Sequence, residues 1–96
     1  MGYEFDWYPI KAATTLRDHG ISFEEATTVF ADPLAMLFAD PDHSVDEERY
    51  VLLGESTQRN LLVVAFADRP PRTRLISARE ATPHERRQYE EEEGES

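Results

Sequence analysis

The stretch 60-NLLVVAFAD-68 is apolar at seven consecutive positions between a polar residue on either side. A run this short, without alternation, reads as a β-strand covered on both faces, and so as the middle of a sheet. Its neighbours 49-RYVLLGE-55 and 72-RTRLISA-78 are two further strand-like runs. The connections at 56–59 and 69–71 are too short for a crossover, so the three strands form an antiparallel meander. Residues 34–39 (LAMLFA) add a fourth strand, and residues 3–6 can supply an edge strand. The loop 40-DPDHSVDEE-48 is polar and exposed.

Upstream, punctuation places two helices. Pro9 suits a first helical position, no breaker interrupts 11–17, and Gly20 is a left-handed stop, so helix one covers 9–19. Ser22 with Glu25 has capping-box spacing, Phe23, Ala26, Val29 and Phe30 recur at helical spacing, and Asp32-Pro33 ends the element. Joined by Gly20-Ile21, the two form an N-terminal αα-hairpin. Downstream, Thr82-Pro83-His84-Glu85 opens a last helix with a second capping box. Four consecutive glutamates then oppose the helix dipole and repel one another. The expectation is an α+β fold: a two-helix hairpin packed on an antiparallel sheet of about four strands, with a C-terminal helix. Residues 1–90 form the single domain, and 91–96 a frayed acidic tail.

The chain has 96 residues, no cysteine, and five Phe, four Tyr and one Trp to fill a core. Disulfides and thiolate metal sites are excluded. No apolar run reaches the roughly 20 residues that span a bilayer, which argues for a cytoplasmic protein without membrane contact. The net charge of −10 is unevenly spread. Residues 1–48 carry 2 basic and 11 acidic side chains, 49–87 carry 8 and 4, and the remainder carries 5 glutamates. Five of the ten basic residues fall within 72–87. Such a reversal suits contact with an anion on one face, or an internal match of acid to base.

The series 7-WYPIKAATTLRDHGISFEEA-26, 32-DPLAMLFADPDHSVDEER-49, Gly54 with Ser56, and 76-ISAREATPHERRQYE-90 resembles the BrnT toxins of bacterial type II toxin–antitoxin systems over nearly the whole chain. That resemblance implies a RelE-like fold, a ribonuclease that cleaves RNA and inhibits translation, and neutralisation by a BrnA-like antitoxin with a ribbon-helix-helix domain. Operator DNA would be met only through the antitoxin. Three positions depart from the family pattern. Tyr8 stands where the family has Asp, Thr15 where it has Asn, and Asp18 where it has Lys. Tyr8 removes a helix N-cap worth about 1 kcal/mol.

Metal-independent RNA cleavage needs a base for the 2′-hydroxyl, a cation for the phosphorane and an acid for the leaving 5′-oxygen. Guanidinium suits the second role, since its planar fork matches two phosphate oxygens. Arg74 and Arg79 are the candidate catalytic cations. They differ by an odd number, so they share a face only if the strand ends or bulges near Ala78. His19 is the candidate acid or base, because imidazole titrates near neutral pH. Lys11, Arg59 and Arg72 are candidates for guiding the RNA backbone. Each arginine also admits a structural role, either solvating the outer strand face or, for Arg86 and Arg87, pairing with Glu90 or Glu91. No cofactor is implied. The acidic group of Asp40, Asp42, His43, Asp46, Glu47 and Glu48 matches no calcium loop, so no metal is expected. Phe5 and Trp7 read as core anchors. The rival to the enzyme is a catalytically inactive toxin-like module that partners a ribbon-helix-helix DNA-binding protein as co-repressor. Its support is the acidity, which repels nucleic acid.

Overall fold

In the computed structural model, which describes residues 3–40 and 47–94, the central run becomes the most buried strand. The elements in chain order are β1 (Glu4–Asp6), α1 (Pro9–His19), α2 (Phe23–Thr28), a 3-10 turn (Val29–Ala31), β2 (Met36–Ala39), β3 (Glu48–Glu55), β4 (Leu61–Arg69), β5 (Arg72–Glu80) and α3 (Pro83–Gly94). They build one sheet in the order β1-β5-β4-β3-β2, with β4 in the middle. The sheet has five strands rather than about four, and β1 runs parallel to β5 while all other pairings are antiparallel. The parallel edge arises because β1 precedes the helices and returns beside a strand more than sixty residues later. No hairpin turn constrains its direction.

The lack of alternation in β4 follows from cover on both faces. Leu62, Val64 and Phe66 face a core that includes Phe23, Ala26, Val29, Leu75 and Ala78. Leu61 and Val63 face the other way, onto Leu53 and Tyr89 of α3. Leu62 and Val64 are wholly buried, and each contributes roughly 2 kcal/mol by leaving water. Phe5 and Trp7 are core anchors: Phe5 meets Phe30 with ring centroids 5.0 Å apart, and Trp7 meets Phe23 at 5.5 Å.

The helix punctuation is realised with two differences. Gly20 takes φ +70° and its N–H donates to the Leu16 carbonyl at 2.9 Å. The Ser22 hydroxyl accepts from the Glu25 N–H at 3.0 Å, but the Glu25 carboxylate does not return to Ser22. It accepts instead from Ser56 Oγ and Asn60 Nδ2, both at 2.7 Å, and is buried there. A long-range tie between α2 and the β3–β4 turn has replaced half of a local cap. The N-terminal helices are also not a hairpin of matched arms. α2 is only six residues, because Val29–Ala31 tighten into the 3-10 turn before Pro33, and both helices pack more on β5 than on each other. The Thr82 capping box is complete: Thr82 Oγ1 accepts from the Glu85 N–H at 3.2 Å, and Glu85 Oε1 accepts from the Thr82 N–H at 2.8 Å. α3 takes in Glu91 and the residues to Gly94.

β5 carries the detail that positions the site. Phe66 pairs with Leu75 and Ala65 with Ser77, so Ile76 is an extra residue in β5. Such a bulge flips the parity of everything beyond it. The odd spacing of Arg74 and Arg79 is thereby cancelled, and both point to the α3 side of the sheet.

Candidate functional site

Cross-strand registers define two adjacent rows on the α3 side of the sheet. Asp6, Arg74, Ala67 and Arg49 lie opposite one another across β1, β5, β4 and β3. In the row beyond, Glu4, Arg72 and Arg69 are aligned. Side chains opposite each other in a sheet share a face, so four arginines from three strands project from one end of it. The small Ala67 between Arg74 and Arg49 leaves a depression of about 150 Å³. Arg49, Arg69 and Arg74 line it, joined by Lys11 of α1, by its N-cap Tyr8, and by Glu47 just before β3.

The charges in this depression are held rather than loose. Arg74 donates from Nε and Nη2 to the two carboxylate oxygens of Asp6, each at 3.1 Å, and from Nη1 to the Tyr8 hydroxyl oxygen at 2.7 Å. Its guanidinium carbon also lies 4.6 Å from the centre of the Tyr8 ring. Glu47 accepts from Arg49 at 3.2 Å and lies 3.6 Å from Arg69. The Arg74 hydrogen bonds hold the Asp6 carboxyl below the usual carboxylate range against the opposing cost of desolvation, and the charges of Arg72 and Arg69 pull the same way. Four cations line the depression against Glu47 and the Asp6 carboxylate on Arg74. Among the described residues the local balance is therefore about +2, within a chain of net charge −10.

The six candidates read from the sequence separate into two groups. Arg74 and Lys11 line the depression and Arg72 stands in the adjoining row. Arg79 does not join them. Arg74 is aligned with Ala67 and Arg79 with Val63, four residues along β4 and so about 13 Å away. There Arg79 makes a fork-to-fork pair with Glu85, 2.9 Å at each oxygen, and donates to the Glu80 carbonyl at 3.2 Å. It clamps the first turn of α3 to β5. The Arg79 hydrogen bond lowers the Glu85 pKa to about 2 despite partial desolvation, with help from the Thr82 N–H.

Arg59 sits in the β3–β4 turn with φ +71°, is largely exposed, and lies 3.6 Å from Glu55. His19 is exposed at the C-terminal end of α1, about 12 Å along the helix from Lys11. The charge beside it is Asp18, whose carboxylate Arg17 holds at 2.9 Å. Of the departures from the family pattern, Tyr8 caps α1 without a side-chain hydrogen bond, and its phenol faces Arg74 instead. Thr15 is buried. Asp42, His43 and Asp46 lie outside the described residues.

Arg49 and Arg69 line the depression although the sequence did not single them out, and Glu47 was read there only as part of an acidic group. The signal available was charge at strand ends, Arg49 opening one run and Arg69 closing another, but only the register places them side by side. A larger depression, about 440 Å³, lies on the opposite sheet face among Tyr3, Phe30, Tyr50 and Phe66. Its charged lining residues are Asp32 and Asp68, so it offers nothing to a phosphate.

Comparison with known proteins bears on this arrangement. The family model for "Ribonuclease toxin, BrnT, of type II toxin-antitoxin system" matches residues 7–85. A crystal structure of the Brucella abortus ribonuclease toxin BrnT superposes with a TM-score of 0.66 at 22% identity, covering 83% of this chain and 97% of that one. No protein of curated function matches the chain in sequence.

Proposed function

Because the chain belongs to the BrnT family of ribonuclease toxins of type II toxin–antitoxin systems, we propose that the arginine-lined depression binds an RNA phosphate and cleaves the adjacent strand without a metal ion. The observation that carries this reading is the convergence of Lys11, Arg49, Arg69 and Arg74 on one side of a strongly acidic protein, with a carboxylate and a phenol among them.

Each part of the chemistry then has a residue. Glu47 takes the proton of the 2′-hydroxyl, and the resulting oxygen attacks the neighbouring phosphorus. The guanidinium groups of Arg49, Arg69 and Arg74 face the equatorial oxygens of the phosphorane and offset its growing charge. The Tyr8 hydroxyl accepts from Arg74, which leaves its own proton free to pass to the departing 5′-oxygen, with Lys11 as the alternative donor. The P–O5′ bond breaks, leaving a 2′,3′-cyclic phosphate and a 5′-hydroxyl. Arg72 guides the backbone from the next row. Arg79, Arg59 and His19 stand outside this scheme, Arg79 as the clamp of α3. The substrate lies in the cytoplasm, and cleavage there inhibits translation until an antitoxin of the BrnA kind, with a ribbon-helix-helix domain, covers the toxin.

The test is purified protein with RNA in the presence of a chelator. Cleavage that survives chelation and drops on the order of 10²-fold or more in Glu47→Gln and in Arg49→Ala is expected. Absence of cleavage by the wild type defeats the enzyme reading.

A second reading has its own observation. Three nitrogens of Arg74 are already engaged by Asp6 and Tyr8, as in a structural ion pair. A toxin-like module without catalysis, retained as partner and co-repressor of a ribbon-helix-helix protein, would look the same. Growth of bacteria producing the chain without an antitoxin separates the two: arrest supports the enzyme and normal growth the module.

A further inference from the structure

Beside the arginine rows on the same sheet face lies a second depression of about 230 Å³. Its floor is Val51, Leu53 and Val63, its outer rim is Phe38 of β2, and its opposite wall is Glu85 and Gln88 of α3. Leu53 and Val63 are buried, yet Phe38 is 39% exposed, an aromatic residue left open to solvent above an apolar floor. Val51 follows Arg49 by two residues on β3 and shares its face, which places the floor about 7 Å from the arginine row. A chain lying across the sheet with a phosphate on Arg49 therefore sets its next base over Val51 and Phe38. Glu85 is committed to Arg79 and Thr82. The Gln88 side chain makes no hydrogen bond with any described residue, so its amide offers a donor and an acceptor to whatever occupies the groove.

We infer that this groove is a nucleobase subsite: an unpaired base of the RNA stacks on Phe38 over Val51, and Gln88 reads its edge. The inference rests on the phosphate reading of the neighbouring depression and extends it to substrate selection. Stacking on an aromatic ring is worth about 1–3 kcal/mol per base and tolerates any base, whereas an amide at the edge discriminates among them. The ring thus supplies affinity and the glutamine supplies preference.

The experiment measures binding of short 2′-O-methyl oligonucleotides, which lack the nucleophile and cannot be cleaved, to the full chain by fluorescence anisotropy. Oligonucleotides with a complete set of bases are compared with ones abasic at single positions. An advantage of about tenfold for a base at one position, lost in Phe38→Ala, is expected. Gln88→Ala should keep that advantage and flatten the differences among the four bases. Phe38→Leu, which retains bulk without the ring face, should lose the advantage too and covers the case that the alanine variant misfolds. Equal affinity for abasic and intact oligonucleotides, or unchanged affinity in both Phe38 variants, overturns the subsite while leaving the nuclease reading to stand on its own cleavage assay. Failure of the wild type to bind any oligonucleotide overturns both. Unchanged RNA binding by a Phe38 variant that escapes neutralisation by the antitoxin would assign the groove to the protein partner and overturn the base subsite.

Discussion

Arg74 of β5 holds both carboxylate oxygens of Asp6 at 3.1 Å, across the only parallel pairing among the described strands. The bond does two things at once. It fastens a three-residue edge strand whose hydrogen bonding alone is slight, and it aims the remaining edge of the guanidinium at Tyr8. Asp6→Asn should therefore loosen β1 and free a cation together. Its stability should fall, and hydrogen exchange in β1 should quicken. Its affinity for RNA should rise at low salt, because one carboxylate has left the vicinity of the site. A tighter β1 or weaker RNA binding in this variant would contradict that account.

Arg49 and Arg69 should each behave as a phosphate contact. Replacing either by alanine is expected to slow cleavage on the order of 10²-fold, and to reduce the slope of log affinity against log salt by about 1. Both side chains are partly exposed, so the fold should survive, which circular dichroism would verify.

Arg79→Ala should do the reverse. Its partner is Glu85, and the pair docks α3, so stability should drop by about 1–2 kcal/mol, a figure already discounted for the partial exposure of Arg79. Cleavage per folded molecule should stay within a few-fold of wild type. A large loss of activity in a folded Arg79→Ala protein would restore the catalytic role that the sequence suggested for it.

The same pair sets a pH dependence. Glu85 titrates at about 2 in the folded protein against an ordinary 4.5, so the folded state binds the proton less readily than the unfolded chain. The stabilisation is fully present above pH 4.5 and decays as pH falls toward 2. Thermal midpoints of wild type and Glu85→Gln should therefore differ most above pH 5 and converge toward pH 2. Midpoints that stay equally far apart across that range would refute the coupling.

Three donors meeting at Asp32, one of them Tyr89 of α3, make a separate prediction. Asp32 accepts from the Glu55 N–H at 2.8 Å, the Tyr89 hydroxyl at 2.7 Å and the Leu34 N–H at 2.9 Å. Desolvation works to raise the Asp32 pKa, but these donors outweigh it and the net direction is downward. Tyr89→Phe should cost about 1 kcal/mol and Asp32→Ala about 2–3 kcal/mol, with faster hydrogen exchange along α3 in both. Gly54 lies against the same corner: a Cβ there would come within 2.9 Å of Ala35 Cβ and Val29 Cγ1 and 3.1 Å of Asp32 Oδ2. Gly54→Ala should cost about 1–3 kcal/mol in overpacking, measurable by chemical denaturation.

Much of this architecture was readable from local signals. The apolar run at 60–68, the glycine after His19, the proline after Asp32 and the Thr82-Glu85 spacing each act within a few residues, where chain geometry and capping chemistry operate. The BrnT resemblance rested likewise on ordered local motifs. What could not be read was every feature that depends on alignment between distant segments. Glu25 looked like a cap and became a partner of Ser56 and Asn60, because a buried carboxylate must take the donors that folding brings to it. Arg79 looked like a neighbour of Arg74 and pairs instead with Glu85, because the complete capping box leaves Glu85 facing β5.

By itself, then, the sequence determined the kinds and order of the elements, the two-sided burial of β4 and the concentration of arginine in the second half of the chain. Only the tertiary structure decided which arginines meet. One extra residue at Ile76 sets the parity of β5, and the registers of β3, β4 and β5 align Arg49, Ala67 and Arg74 across the sheet. Register is a global property of the paired strands, fixed where the two hydrophobic faces are best buried. The charges that ride on those strands take their neighbours from it.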